Sequence, residues 1–216
     1  MSARDAARIA VVDYGAGNLV SIEQALTRVG ARVTIADGAA GLVDADGLIV
    51  PGVGAAAPAM ERLREAGLVE PIRAWIAADR PFLGICLGLQ LLFEGSDEDG
   101  AETLGVLAGR SVRLTGAPTL PHIGWNQVER TRVHPLFEGI TDAADAYFVH
   151  SYVGAPLDDG VVLATTEHGS RFVSAVARGR LAGVQFHPER SGDDGLRLLE
   201  NFRAIVAASA TTPVAV

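Results

Sequence analysis

The sequence predicts a single α/β domain in which one β-sheet is covered by helices on both faces. Short apolar runs alternate with segments whose apolar residues recur every three or four positions, which is the order of strands and helices in such domains. The chain has 216 residues and 49% of them are hydrophobic, which suits one large core better than two small ones. We therefore expect one domain over 1–216, with flexible ends at 1–7 and about 208–216.

The first half of the chain alternates strands and helices. A continuously apolar, β-branched centre predicts a buried strand at 8–13. Strands at 32–36, 47–50 and 81–85 and helices at 56–66 and 69–78 follow, and the strand at 81–85 leads directly into a helix at 87–93. A first helix is predicted by apolar residues at helical spacing and by a glycine that ends it, namely Leu19, Ile22, Leu26, Val29 and Gly30.

The second half of the chain has a different pattern. From 105 to about 184 the apolar runs are short and separated by Gly, Pro, Asp and Thr, which predicts mostly strands and loops. Arg178-Gly179-Arg180 predicts a tight turn between two strands. A last amphipathic helix is indicated by five apolar residues on one face, and the tail from 207 onward is expected to fray. The five are Leu196, Leu199, Phe202, Ile205 and Val206.

Charge and composition exclude several classes of function. The net charge of −8 and the pI of about 5.1 disfavour nucleic-acid binding, because an acidic surface repels phosphates. No apolar run reaches the roughly 18 residues of a membrane span, and the N-terminus lacks a signal-peptide core. A single cysteine fits a reducing compartment, so we expect a cytoplasmic protein. His122, His134 and His168 lack metal-ligand spacing, so no metal site is predicted.

The one cysteine stands in the sequence Gly84-Ile85-Cys86-Leu87-Gly88, at the predicted strand-to-helix junction. In nucleophile elbows the reactive residue occupies a sharp turn with small residues two positions to either side, because larger side chains would collide with the adjoining elements. The start of a helix also favours the thiolate, which is the reactive form. The alternative is that Cys86 is a small buried hydrophobe.

A candidate base follows about a hundred positions later, in Gln185-Phe186-His187-Pro188-Glu189 at the end of an apolar strand. A cysteine nucleophile requires an imidazole to accept its proton, and that imidazole requires a partner on its other nitrogen. His187 and Glu189 can supply these two groups. Taken alone, His187-Pro188-Glu189 is more typical of an ordinary surface turn.

A glycine-rich turn, Pro51-Gly52-Val53-Gly54, follows the predicted strand at 47–50. Turns of this kind can direct backbone N–H groups at an anion, such as the oxyanion of amide hydrolysis. A plain turn or a phosphate loop would give the same pattern, although the Lys and Ser/Thr of a P-loop are missing.

Together, the turn at 51–54, the run at 84–93 and His187-Pro188-Glu189 resemble the class I (triad-type) glutamine amidotransferases in order and spacing. Three further segments, 13–19, 121–126 and 147–152, resemble one branch of that family, the glutaminase subunits of imidazole glycerol phosphate synthase. The resemblance covers about 8–202. It implies a three-layer domain with a mixed, mostly parallel sheet and a nucleophile elbow at a strand–helix turn, and no cofactor.

The resemblance also implies the role of each residue. Cys86 would attack the side-chain amide of L-glutamine and form a glutamyl thioester, while His187 transfers protons and Glu189 orients it. Three further sets complete the site. The oxyanion hole would use Gly52, Val53, Gly54 and Leu87; glutamine would be held by Gly52, Gln90, Glu98, Ser151 and Tyr152; the partner interface would hold Tyr14, Asn18, Trp125, Asn126 and Tyr147.

The implied partner is the cyclase subunit, a β/α barrel that forms a heterodimer with the glutaminase. It would receive ammonia and make imidazole glycerol phosphate and an aminoimidazole carboxamide ribotide in histidine biosynthesis. A flip of one peptide in the turn at 51–54 is the expected activating switch.

Four alternatives remain open. The chain could serve another amidotransferase, or be a non-catalytic regulatory subunit of the same fold. Trp125 and Tyr147 could be core aromatics, and Glu98 could belong to a solvated acidic loop, Asp97-Glu98-Asp99.

Overall fold

The computed structural model describes residues 7–210, so most of the predicted flexible ends, 1–7 and about 208–216, lies outside the described residues. Nine strands of the described chain form one sheet in the order β2-β1-β3-β4-β12-β11-β10-β7-β8, and three form a smaller sheet in the order β5-β6-β9. The strands are β1 Arg8–Val12, β2 Arg32–Ala36, β3 Gly47–Val50, β4 Phe82–Ile85, β5 Gly95–Ser96, β6 Gly109–Arg113, β7 His122–Arg130, β8 Ala144–His150, β9 Tyr152–Pro156, β10 Val162–His168, β11 Ser170–Arg178 and β12 Leu181–Val184.

Half of the large sheet is parallel. Strands β2, β1, β3, β4 and β12 pair in parallel, and their carboxyl ends therefore meet at one edge. The strands predicted in the first half of the chain agree with β1, β2, β3 and β4 to within one residue. This edge is where the three motifs emerge from the sheet, because each motif follows one of the strands β3, β4 and β12.

The other half of the large sheet is antiparallel, from β12 through β11, β10 and β7 to β8. The sheet is mixed, as expected, but four of its eight pairings are antiparallel within the described chain, so it is not mostly parallel. The antiparallel strands come from the segment that the sequence left as unspecified strands and loops. The tight turn between β11 and β12 is confirmed, with Gly179 at φ +57°.

Helices cover both faces of the parallel strands. They are α1 Leu19–Arg28, α2 Ala56–Glu65, α3 Val69–Ala77, α4 Leu87–Gln90 and α5 Gly192–Ala210. Residues of β1 alternate between two cores: Ile9 and Val11 pack with α1 and α5, whereas Ala10 and Val12 pack with α2 and α3. Strands buried on both faces read as continuous apolar runs, which is why the sequence predicted them.

Two helices differ from their predicted bounds. Helix α4 ends at Gln90 rather than at 93, because the N–H groups of Leu92 and Phe93 bond three residues back instead of four, to Leu89 and Gln90. Helix α5 continues to Ala210, so 207–210 are helical where fraying was expected. No helix within 7–210 is both long enough and apolar enough to span a membrane.

Candidate active site

Cys86 occupies a strained turn between β4 and α4. Its backbone has φ +54° and ψ −108°, a conformation that residues other than glycine rarely adopt. The Cys86 N–H donates to the Val184 carbonyl of the adjacent strand at 2.8 Å, which fixes the turn to the sheet. The predicted role of the flanking glycines agrees with this geometry. A Cβ on Gly84 would lie 2.6 Å from the Gly88 carbonyl oxygen, and one on Gly88 would overlap the Val50 carbonyl oxygen.

His187 and Glu189 form a buried pair beside Cys86. His187 Nδ1 lies 2.8 Å from Glu189 Oε1, and their side chains are 7% and 2% exposed. Among residues 7–210, His187 Nε2 has no hydrogen-bond partner although it is buried. One ring nitrogen is thus held by a carboxylate and the other remains available for proton transfer, as in catalytic triads.

The charges of this site favour a protonated His187. Burial lowers the pKa of His187, but its interactions with Cys86 and with the Glu189 carboxylate outweigh burial and raise that pKa to about 10. An imidazolium beside the sulfur stabilises a thiolate. His187 can therefore hold, at neutral pH, the proton that a leaving group requires.

The glycine-rich turn after β3 lies directly against the turn of Cys86. The carbonyl group of Gly52 in this turn faces the backbone N–H of Leu87, which was predicted to donate to the oxyanion. The Leu87 N–H donates to the Gly52 carbonyl oxygen at 3.3 Å. A Cβ on Gly52 would come within 3.1 Å of the Leu87 Cβ, so the two segments touch. In this conformation the Leu87 N–H is occupied, and the predicted oxyanion hole is not assembled.

Tyr14 supports this turn from inside the molecule, which corrects its predicted place at the partner interface. Its side chain is 4% exposed, and its hydroxyl donates to the Pro51 carbonyl at 2.8 Å. Burial, and secondly the charge of Cys86, raise the pKa of Tyr14. The ring is buried because it packs with residues of α2 and β3, contacts that the sequence around Tyr14 does not reveal.

A pocket opens in front of the Cys86 sulfur and brings most of the predicted site together. Glu98, predicted to hold glutamine or to lie in a solvated loop, is exposed at its rim. Burial, and secondly the charge of Asp99, raise the pKa of Glu98. Of the predicted residues, those lining the pocket are Val53, Gly54, Cys86, Leu87, Gln90, Glu98, Ser151 and Tyr152; Ala55, Pro121, Val149 and His150 line it as well.

Gln90 is braced from behind the pocket. Its Nε2 donates to the Tyr152 carbonyl at 2.8 Å and to Gln185 Oε1 at 3.1 Å. Gln185 is fully buried, and its own Nε2 lies 3.5 Å from Cys86 Sγ. Gln185 is a site residue that was not predicted from the sequence, although a glutamine between Val184 and Phe186 requires hydrogen-bond partners for the same reason as Gln90.

A chain of neutral histidines ends on the same Tyr152 carbonyl. His150 Nδ1 lies 3.1 Å from that oxygen, His150 Nε2 lies 3.1 Å from His122 Nδ1, and His122 Nε2 lies 3.3 Å from Asn126 Nδ2. A carbonyl only accepts, so every group in the chain donates toward Tyr152. Burial, and secondly a neighbouring histidine, lower the pKa of His150 to about 3 and that of His122 to about 4.

The other predicted interface residues lie at or near the surface. Trp125 is 56% exposed and its ring contacts the half-buried ring of Tyr147 edge-on, with centroids 6.1 Å apart. The Tyr147 carbonyl accepts the His187 N–H at 2.9 Å. Asn18 is exposed and caps α1 through the Ser21 N–H.

Asn126 is half-buried. Its amide donates to the Glu167 carbonyl at 2.8 Å as well as contacting His122. The described chain contains no cluster of three metal-ligating side chains.

Comparisons with known proteins show the family to which this chain belongs. The model of the family "Glutamine amidotransferase class-I" matches residues 10–205. The imidazole glycerol phosphate synthase subunit HisH of Synechococcus sp. (strain JA-3-3Ab) is 50% identical over 206 residues, covering 94% of this chain and 95% of that protein. The HisH subunit of Chloroflexus aurantiacus (strain ATCC 29364 / DSM 637 / Y-400-fl) is 49% identical and covers 90% and 94%.

Solved structures share the fold at lower sequence identity. A crystal structure of a glutamine amidotransferase superimposes with a TM-score of 0.73 at 24% identity, covering 91% of this chain and 98% of that one. PurLQS from Thermotoga maritima gives 0.72 at 20% identity, covering 91% and 97%. By its sequence match and its fold, the chain belongs to the class-I glutamine amidotransferases and, within them, to the family of the HisH subunits of imidazole glycerol phosphate synthase.

Proposed function

We propose that this chain is the glutaminase subunit of imidazole glycerol phosphate synthase and that Cys86, His187 and Glu189 are its catalytic triad. The observation that carries the proposal is the meeting of three separate strand ends in one site. The strained turn of Cys86 lines the pocket, and the buried pair of His187 and Glu189 lies beside Cys86.

The proposed reaction has two halves. The Cys86 thiolate attacks the carboxamide carbon of glutamine, which forms the C–S bond and a tetrahedral intermediate. The C–N bond then breaks as His187 donates its proton to the nitrogen, which leaves as ammonia. Water then attacks the thioester, its proton passes to His187, and the C–S bond breaks to release glutamate and the thiolate. Glu189 holds the imidazole in the required orientation throughout.

Recognition of glutamine follows from the groups that remain unpaired in the pocket. The Glu98 carboxylate suits the α-ammonium group, because opposite charges attract across a partly desolvated pocket. Both amide protons of Gln90 are used by Tyr152 and Gln185, so Gln90 offers an acceptor oxygen. Ser151 and Tyr152 complete the wall.

The turn at 51–54 is the proposed switch. With the Gly52 carbonyl bonded to the Leu87 N–H, the oxyanion of the tetrahedral intermediate lacks its donors, and such donors contribute roughly 3–4 kcal/mol each. A flip of the Gly52–Val53 peptide would free the Leu87 N–H and turn the Val53 N–H toward the oxyanion. We expect low activity in the isolated chain and activation by the cyclase partner.

The partner surface is proposed around Trp125, Tyr147, Asn18 and Asn126. Trp125 reaches the triad in two contacts, through the Tyr147 ring and the bond from the His187 N–H to the Tyr147 carbonyl. Docking of a β/α-barrel cyclase on Trp125 would therefore act close to His187. The pair would transfer ammonia directly into the cyclase.

Covalent labelling with a glutamine-mimicking diazo-ketone tests the site without a partner. We expect modification at Cys86, located by mass spectrometry, and about tenfold slower labelling of Glu98→Gln, because the ammonium group loses its counter-charge. Asp97→Asn is the matched control, because that carboxylate pairs with Arg110 at the surface. If neither the wild type nor the Asp97→Asn control is labelled at Cys86, the result contradicts a glutamine site and favours a non-catalytic subunit.

A further inference from the structure

Three side chains and one backbone carbonyl form a buried polar chain behind the pocket. It runs from the Tyr152 carbonyl through Gln90 and Gln185 to Cys86 Sγ, with separations of 2.8, 3.1 and 3.5 Å. Gln185 comes directly after β12 and is fully buried. Its backbone N–H is fixed by the Ser174 carbonyl at 2.9 Å, so its position is set by the sheet.

The direction of every hydrogen bond in this chain is determined by its first member. A carbonyl oxygen can only accept, so the Gln90 atom facing Tyr152 must be the NH₂ group. The second proton of that NH₂ goes to Gln185, which must therefore present its oxygen to Gln90. The only group that Gln185 can then turn toward the Cys86 sulfur is its NH₂. The reverse orientation would place two donors against each other and an oxygen against the thiolate.

An amide N–H directed at the sulfur acts differently on the two states of Cys86. A hydrogen bond to an ionised acceptor is about twice as strong as one to a neutral acceptor. The thiol and the thioester sulfur are weak acceptors, whereas the thiolate is a strong one. The Gln185 amide therefore stabilises the thiolate as the attacking group and again as the leaving group of the second half-reaction.

We propose that Gln185 is a further catalytic residue, which donates a hydrogen bond from its side-chain amide to the Cys86 thiolate. It reaches the sulfur from the protein interior, because Gln185 is fully buried and does not line the pocket. His187 provides charge to the same sulfur, and Gln185 provides a fixed neutral dipole. The role in turnover rests on the proposed glutaminase function, but the bond to the thiolate does not.

The pH dependence of Cys86 alkylation tests this assignment. Iodoacetamide is small and neutral, and Cys86 is the one cysteine of the chain, so its alkylation rate in the full-length protein reports the thiolate directly. The methionine side chain in Gln185→Met has similar length and no hydrogen-bond donor. We expect this variant to move the midpoint of the alkylation rate against pH to higher pH by about one unit. Alkylation at a pH below both midpoints should slow about tenfold.

Ser174→Ala is the matched control. Ser174 is buried and bonds Gln185 only through its backbone carbonyl, and its hydroxyl has no partner within the described chain. This variant should leave the alkylation midpoint unchanged. Gln185→Leu carries the same expectation as Gln185→Met and decides the question if the methionine variant does not fold, as judged by thermal unfolding.

Glutamine turnover gives a second, separable result. With the partner present, kcat of Gln185→Met should fall about tenfold while KM stays within twofold, because Gln185 does not line the pocket and Gln90 keeps its bond to the Tyr152 carbonyl. A midpoint equal to that of the wild type in a folded variant would overturn the proposal, as would an equal shift in Ser174→Ala. If the wild type hydrolyses no glutamine but the midpoints differ as expected, the proposed function fails and the thiolate bond stands.

Discussion

The chemistry of Cys86 depends on the charges and dipoles of residues that follow strand β12. His187 and Glu189 are among them, and the interactions of His187 with Cys86 and then with Glu189 raise the pKa of His187 to about 10 even though burial acts in the opposite direction. The backbone of Cys86 has φ +54°. This conformation costs of order 1–3 kcal/mol and persists because the surrounding contacts determine it. Backbone strain and neighbouring charges are thus combined at one residue, Cys86.

Replacing Glu189 by glutamine should remove most of the activity. Glu189→Gln keeps the shape of the side chain but removes the carboxylate that holds His187 Nδ1, so the imidazolium loses its counter-charge and its fixed tautomer. We expect kcat for glutamate release to fall by about 100-fold or more, with a folded protein. Glu200→Gln, at an exposed pair with Arg197, is the control and should lose less than twofold; similar losses in both variants would contradict the role of Glu189.

At this scale the sequence predicted the residues whose partners are close in the chain. His187 and Glu189 are two positions apart, and the glycines that flank Cys86 are within two positions of it, so local spacing revealed them. Tyr14 was assigned to the interface because nothing nearby indicates that its hydroxyl meets Pro51, 37 positions away. Gln185 was missed because its partners, Gln90 and Cys86, lie 95 and 99 positions away.

Among the elements, the junction of β4 and α4 has the least freedom. Four strands with parallel pairing bring the elbow, the glycine-rich turn and the end of β12 to one edge of the sheet. Gly84 and Gly88 then allow α4 to approach the sheet more closely than any side chain would permit. The helix is only one turn long, so its position depends on this contact rather than on helix propensity.

Gly88→Ala should destroy the elbow. The added methyl group would overlap the Val50 carbonyl oxygen, so α4 must move away from β3. We expect a loss of about 2–3 kcal/mol in the free energy of unfolding, measured with urea, because overpacking at close contacts costs about that much. Gly38→Ala is the control, since Gly38 has φ −169° and its nearest atom to a new Cβ lies at 3.8 Å; equal stability of the two variants would refute the close approach.

The strands in the first half of the chain were predictable because parallel strands that are covered on both faces consist of continuous apolar residues. The antiparallel half was not, because β10 and β11 pair with register shifts between Val162 and Thr165, and strands with irregular pairing lose the simple alternation of period two. The predicted helix at 87–93 was too long for a related reason. Its apolar residues continue past Gln90 because the following turn is also buried.

For the molecule as a whole, two buried neutral histidines link stability to pH. The pKa values of His150 and His122 are about 3 and about 4 in the folded protein, against about 6.5 when unfolded. Between pH 6.5 and 4 the unfolded chain therefore binds more protons, so stability falls as the pH falls. His187 has its pKa raised, so its contribution is complete below pH 6.5 and is lost only as the pH rises toward 10.

Unfolding in urea at pH 7, 6 and 5 checks this. Each proton taken up on unfolding changes the slope of the free energy of unfolding against pH by about 1.4 kcal/mol per pH unit. His150→Gln should flatten the dependence between pH 6.5 and 5, whereas the control His134→Gln, which replaces a half-buried histidine that caps a short 3₁₀ turn, should flatten it less. An unchanged slope in His150→Gln would contradict a buried neutral histidine at that position.

Association with the partner should depend on Trp125. Exposed tryptophans at interface centres frequently contribute more than 2 kcal/mol to binding, so Trp125→Ala should weaken the affinity for the cyclase by at least about tenfold, as measured by calorimetry. Val43→Ala is the control: Val43 is 76% exposed but precedes β3, at the edge of the sheet opposite the active site. Equal affinities of the wild type and Trp125→Ala would move the interface elsewhere.

The most direct measurement is glutamate release from glutamine by the wild type and by Cys86→Ala, each with and without the cyclase and its nucleotide ligand. We expect little release from the isolated wild type, strong release once the partner and its ligand are added, and none from Cys86→Ala under either condition. Release that persists in Cys86→Ala, or a wild type that stays silent with its partner, would contradict the proposal that Cys86 is the nucleophile of a partner-activated glutaminase.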